Sequence, residues 1–395
     1  MLAPALEAPD ARARSWPSDA LVAGAGALIF MLAVSHGART PYDNYVLLAD
    51  AWKHGRNWVP FPGDYLDVMP FHGRAYVVEA PLPAVLLLPA VFLFGTNANQ
   101  TLLSNLLGGL AVYAAWRLCE QIGLARVPTA AATAFVFFGT SLFVCSTVGS
   151  VWFLGHVAAA CFTLLALCEC FGARRPWLIA IWALCAAFSR YPLFLALPLY
   201  FVLVVAHDRR RPAIESFVLP IVPAFVAWML YNRNRFGTLL DPAFSMFYRI
   251  MDADYRGRPA VFSISYVPAQ LQTYFLTPPR LLARPPFVVP WYYGLGLPFT
   301  SLPFAYAVFA GIGLDAIVLW SATLVTALPS LAYYGTGDGQ YGVRHALDFE
   351  PFLFALLLLA LQRRPSRIAT GALVVFAAFG VYEGLVWLLW PALTQ

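Results

Sequence analysis

Long runs of Ala, Leu, Val and Phe recur along this 395-residue chain, at about 20–35, 82–95, 101–119, 128–147, 151–171, 176–189, 191–206, 213–231, 299–313, 316–334, 351–361 and 368–390. A helix needs about 20 mostly apolar residues to cross a bilayer, whereas a membrane barrel would show short alternating strands. The runs therefore predict an all-α polytopic membrane protein with about 11–12 transmembrane segments, a single transmembrane domain over 1–395. Composition agrees: 61% of residues are hydrophobic and only 11% charged, more apolar side chain than one soluble core could hide.

The formal charge of +5 rests almost wholly on arginines in loops. No dense basic face with interleaved aromatics is present, so nucleic acid is not an expected partner. Arg174-Arg175, Arg209 to Arg211, and Arg363, Arg364 and Arg367 lie in short loops, which the positive-inside bias assigns to the cytoplasm. Arg12 and Arg14 precede the first apolar run without a small-residue cleavage site, so that run is expected to stay as a helix with its N-terminus cytoplasmic. The resulting organisation is a first outer loop at 39–81 with surface helices, a helical module at 82–231, a second outer loop at 232–298, and C-terminal transmembrane helices at 299–395, with 335–350 also outside.

Counting crossings leaves one segment too many before Arg211. The segment that fails to cross is either 82–95, which carries Pro83 and Pro89, or a re-entrant 128–147 with its central Gly139. Within the first outer loop, Val46, Leu47, Ala49, Ala51 and Trp52 have helical spacing and predict a helix on the membrane surface over 45–54. The six cysteines lie in or at the ends of apolar segments and the six histidines lack ligand spacing, so neither a disulfide nor a Cys/His metal site is expected. The Ala/Arg/Pro-rich composition is compatible with a bacterial inner membrane.

Inner loops read as plain basic connectors, but the outer ones hold acids and further arginines. Asp43, in PYDNY, is a candidate general base toward an acceptor hydroxyl, and equally a helix N-cap. Asp64 and Asp67 are three apart in GDYLD, a spacing that suits oxygen ligation of a divalent cation or a simple turn. Glu79 precedes a helix start, where its charge would suit the dipole. Outer arginines escape the positive-inside explanation, and their forked donors match phosphate oxygens. Arg74, Arg233, Arg235, Arg280, Arg284 and Arg344 form that pool, with Arg190 of FSRYP between two apolar segments.

Several stretches, taken in order, resemble the GT-C membrane glycosyltransferases that use polyprenyl-phosphate sugars, a group that includes protein O-mannosyltransferases and aminoarabinose transferases. PYDNYVLLADAWKHGRNW is similar to the acidic first-loop motif, and HGRAYVVEAPLPAVLLLP to the Gly-x-x-Tyr…Pro-Leu approach to the second helix. YNRNRFGTLL and GDGQYGVRHALDFEPF resemble the Arg-Phe-Gly segment and the late Gly-x-Arg-Tyr motif. The resemblance implies Asp43 as catalytic base, with Arg74, Tyr76, Arg190, Arg235, Arg344 and His345 binding substrate and Asp64, Asp67 and Glu79 as acidic support. His345 stands where Tyr is usual, and Glu79 where aminoarabinose transferases have Lys. The implied activity is inverting transfer of a sugar from a polyprenyl-phosphate donor to a hydroxyl on a lipid, glycan or protein, within membrane lipid. A flippase or transporter of a lipid-linked sugar and an inactive scaffold are the rival readings.

Overall fold

The computed structural model describes residues 17–63, 67–250, 258, 260–337 and 339–394. Its helices are α1 (Pro17–Ser35), α2 (Asn44–Lys53), α3 (Leu82–Phe94), α4 (Gln100–Ile122), α5 (Arg126–Phe138), α6 (Leu142–Val148), α7 (Val151–Phe171) and α8 (Pro176–Ala187). There follow α9 (Leu197–His207), α10 (Arg211–Phe236), α11 (Ala243–Ile250), α12 (Val267–Leu276), α13 (Leu297–Thr300), α14 (Leu314–Leu331), α15 (Glu350–Arg363) and α16 (Arg367–Leu389). Among the described residues only short strands accompany them: β1 (Val68–Phe71) pairs antiparallel with β2 (Arg74–Val77), and β3 (Arg280–Leu281) with β4 (Val288–Val289).

The all-α expectation holds, and the individual segments differ in quality. Among the described residues, five helices, α4, α7, α10, α14 and α16, are long and apolar enough to cross a membrane. The expected span at 128–147 is two helices, α5 and α6, bent by 54°. Their break is at Gly139, and α16 closes on it through Gly380, where a Cβ would collide with the Phe138 carbonyl. The expected helix over 299–313 is instead the short α13 followed by 3-10 turns at Leu302–Ala310. Pro303 offers no N–H to the helical ladder, and Gly311 at φ +86° ends the segment. Likewise, 191–206 begins as 3-10 turns at Tyr191–Ala196 before α9.

At the core, α7 packs between α4 and α8, and α1 lies on α4. Cys161, Val157, Ala158 and Leu154 on α7 are fully covered, as are Ala111 and Ala115 on α4. Ala-rich faces let these helices approach closely, which stands in for the hydrophobic drive that lipid does not supply. The helix predicted at 45–54 forms as α2, but its apolar residues Tyr45, Val46, Leu48, Ala49 and Ala51 are buried within the protein, chiefly against α3.

Candidate active site

Asp43 occupies the N-cap position of α2, with φ −114° and ψ 38°. Its carbonyl accepts from the Val46 amide at 2.8 Å, yet its side chain makes no capping bond. The carboxylate is thus not spent on the helix end. Burial raises its pKa above the ordinary Asp value, against the opposing effects of a backbone hydrogen bond and of Arg39. Arg39 is itself anchored by the Thr96 carbonyl at 2.8 Å.

Around Asp43 the site is assembled on the first six residues of α7. The Val151 amide donates to the Tyr42 carbonyl at 2.9 Å, and the Tyr42 and Trp152 rings lie 4.7 Å apart. Trp152 Nε1 donates to Asp67 Oδ2 at 2.7 Å. Phe153 lies beneath the Arg344 guanidinium, 5.7 Å from the ring centre. Gly155 leaves room for two neighbours: a Cβ there would sit 3.0 Å from Tyr45 Oη and 3.6 Å from Arg190 Cδ. His156 Nδ1, the last of the six, donates to Asp348 Oδ1 at 3.0 Å.

Asp348 is completely buried and receives Arg190 through two donors, Nε to Oδ1 at 3.2 Å and Nη2 to Oδ2 at 2.9 Å. Burial alone would raise its pKa, but Arg190 and His156 beside it hold the carboxyl well below the usual range. Arg190 Nη2 also donates to His345 Nδ1 at 3.2 Å, and the His156 and His345 rings meet edge-on at 5.0 Å. Arg344 bonds Gln340 Oε1 through its backbone amide at 3.3 Å and through Nη1 at 3.4 Å.

The remaining sequence candidates lie apart from this cluster or serve its frame. Arg235 is enclosed: it pairs with Asp241 at 3.4 Å, donates to the Val77 carbonyl and lies over Tyr231, Phe236 and Tyr76. Tyr76 packs in the same lock, while Arg74 is exposed over Trp58. Arg190, His345 and Arg344 are therefore the substrate-binding candidates that the fold brings together. Glu79 has a buried Oε2 with no hydrogen-bond partner among the described residues. Burial, reinforced by the nearby Asp67 charge, pushes its pKa well above the usual value. Asp64 lies outside the described residues, and among those described no group of three His, Cys, Asp or Glu side chains is placed to hold a metal.

Gly155, His156 and Asp348 were not singled out by sequence reasoning. His156 sits in an apolar run and lacks ligand spacing, which hid it. Asp348 carried a visible signal, an acid four residues after Arg344 and just before an apolar helix.

The sequence matches no protein-family model and no curated protein. Solved structures do resemble it. One is ArnT from Cupriavidus metallidurans bound to undecaprenyl phosphate, with TM-score 0.55 and 14% identity over 91% of this chain. Another is the apo oligosaccharyltransferase of Archaeoglobus fulgidus, with TM-score 0.50 and 14% identity over 95% of this chain. The chain spans 63% and 56% of those two proteins' lengths. Such identities speak for architecture, and the architecture is that of the GT-C polytopic membrane proteins.

Proposed function

We propose that this protein is an inverting glycosyltransferase that moves a sugar from a polyprenyl-phosphate carrier to an acceptor hydroxyl at the outer face of the membrane. The acceptor oxygen attacks the anomeric carbon, the bond from that carbon to the carrier phosphate oxygen breaks, and the acceptor proton passes to Asp43. Arg190 and Arg344 stabilise the phosphate that leaves, since fixed donors aimed at developing charge are usually the largest contribution to such catalysis. The observation that carries this reading is the convergence on the first six residues of α7. That short stretch holds the segment bearing an uncapped Asp43 on one side and the Arg190, Arg344 and Asp348 cluster on the other. Undecaprenyl phosphate bound to a protein of similar fold supports the choice of donor class.

The test uses purified protein in lipid with labelled polyprenyl-phosphate sugars and lipid, glycan and peptide acceptors. Asp43→Asn should slow transfer by about 10²- to 10⁴-fold, the usual size of a general base's contribution. Transfer by the variant at the wild-type rate would remove Asp43 from the mechanism. Transbilayer movement of the intact donor with no transfer would instead favour a flippase. Activity that survives chelation would remove any need for a divalent cation at Asp67.

A further inference from the structure

Three helices that border the candidate site meet again at the other end of the bundle. The chain after Arg190 passes through the 3-10 turns at Tyr191–Ala196 into α9, which ends at His207. The chain after Asp348 enters α15, whose 14 residues end at Arg363, about 20 Å away at 1.5 Å per residue. Helix α14 runs the opposite way and ends at Leu331, two residues before Tyr333, whose ring lies 6.0 Å from that of His345. The far ends of α9, α14 and α15 enclose a cavity of about 220 Å³, whose lining includes His207, Gly313, Leu314, Asp315, Leu359 and Arg363. One water needs only about 10–15 Å³ of such space, so this cavity has room for a molecular headgroup.

Its walls carry one fixed charge of each sign. Arg363 is in the last turn of α15 and Asp315 in the first turn of α14, so each suits the dipole of its own helix end. Neither charge is used up there. The guanidinium lies against two glycines: a Cβ on Gly311 would run into it, and one on Gly313 would lie 3.4 Å from Nη2. Asp315 Oδ1 has His207 Nε2 at 3.7 Å, beyond hydrogen-bond reach. Other acids at this end are already engaged, Asp208 with Arg210 at 2.8 Å and Glu215 with Arg211 at 2.6 Å. A cation and an anion that line one cavity without pairing leave a gap that a zwitterion closes, phosphate toward arginine and ammonium toward aspartate.

The surroundings suit a lipid. Leu314, Ile317, Leu324 and Leu328 stand exposed on one face of α14, and Ile312 is exposed just before it. This apolar stripe leads from the cavity along the helix toward the site end of the bundle. The same end of the bundle carries Arg209 to Arg211 and Arg363, Arg364 and Arg367, a pattern that the positive-inside bias places at the cytoplasmic face. Basic pockets between membrane helices on that face bind lipid headgroups.

We propose that the ends of α9, α14 and α15 hold an amine-bearing zwitterionic phospholipid, with its phosphate on Arg363, its ammonium on Asp315 and its acyl chains along α14. The site lies at the opposite end of these helices from the Asp43 and Arg190 cluster, and it stands independently of the transferase reading.

The experiment measures lipid binding to the full-length protein in detergent by native mass spectrometry and thermal unfolding. The probes are phosphatidylethanolamine, phosphatidylcholine, phosphatidylglycerol and tail-free glycerophosphoethanolamine. Wild type should bind phosphatidylethanolamine about tenfold or more tightly than phosphatidylcholine, whose nitrogen has no N–H for Asp315, or phosphatidylglycerol, which has no cation. Asp315→Asn should erase that preference. Arg363→Gln should weaken phosphatidylethanolamine about tenfold, and Arg363→Lys should recover part of the loss. Unfolding in lipid-free detergent separates loss of the site from loss of the fold.

Equal binding of the three lipids by wild type, or a preference that survives Asp315→Asn, overturns the site. Tighter binding of phosphatidylglycerol overturns the zwitterion, and equal stabilisation by glycerophosphoethanolamine overturns the lipid.

Discussion

Gly155 shows how much one missing methyl group can matter. Alanine is normally the better helix former by about 0.5–1 kcal/mol, so Gly155→Ala should not weaken α7 by itself. Its Cβ would nevertheless lie 3.0 Å from Tyr45 Oη and 3.2 Å from the Ser189 carbonyl, closer than either tolerates without moving. Ser189 immediately precedes Arg190 in the chain, and misplacement by about 1 Å can cost on the order of 10²-fold in rate. The expected outcome is a transfer rate down by about tenfold or more with an almost unchanged melting temperature, read by activity and thermal unfolding side by side. Asp43 makes a second prediction through its charge. A base must be ionised, and burial has raised this carboxyl, so wild-type kcat/KM should fall as pH drops through a midpoint above the ordinary Asp value. The residual rate of Asp43→Asn should lack that acid limb. Asp43, Arg190 and Arg344 could be singled out as candidates in sequence because charges stand out against apolar runs. His156 could not, and Asp348 showed only as an acid near Arg344, since a partnership across 192 residues leaves no local pattern.

At the level of elements, periodicity located the helices and could not say what each would touch. The spacing that announced α2 was correct. The face it marked is covered by α3 and neighbouring chain, because an apolar stripe is equally well buried by protein or by lipid. The β1–β2 hairpin was not anticipated: the turn-forming His72 and Gly73, both at positive φ, read only as loop chemistry. This hairpin is tied to the end of α10 by Arg235, which reaches the Val77 carbonyl while pairing with Asp241. The two side chains are 1% and 4% exposed, so removing one strands the other. Arg235→Leu should cost about 3–5 kcal/mol, and Arg235→Leu with Asp241→Leu should recover part of it, as measured by denaturant unfolding in detergent. Equal stability of the single variant and wild type would show that the lock is slack.

Across the whole molecule burial is distributed unevenly. In α7, 89% of the most apolar window is covered by protein, whereas in α10 the figure is 11%. Hydropathy alone ranked these two alike, at 2.0 and 1.9, because it measures a preference for apolar surroundings and not their source. The bond between Arg190 and Asp348 has a consequence for how the protein is made. Its partners are 158 residues apart in sequence. A ribosome delivers the cation long before its counter-charge, and the candidate spans α10 and α14 are made in between. Throughout that interval the nascent chain holds a guanidinium whose buried partner does not yet exist, a state that insertion machinery and proteases can sense. A chain stopped after residue 334 should therefore be cleared quickly in cells. The same truncation carrying Arg190→Leu should persist longer in a pulse-chase experiment, and equal lifetimes would argue against this debt of charge.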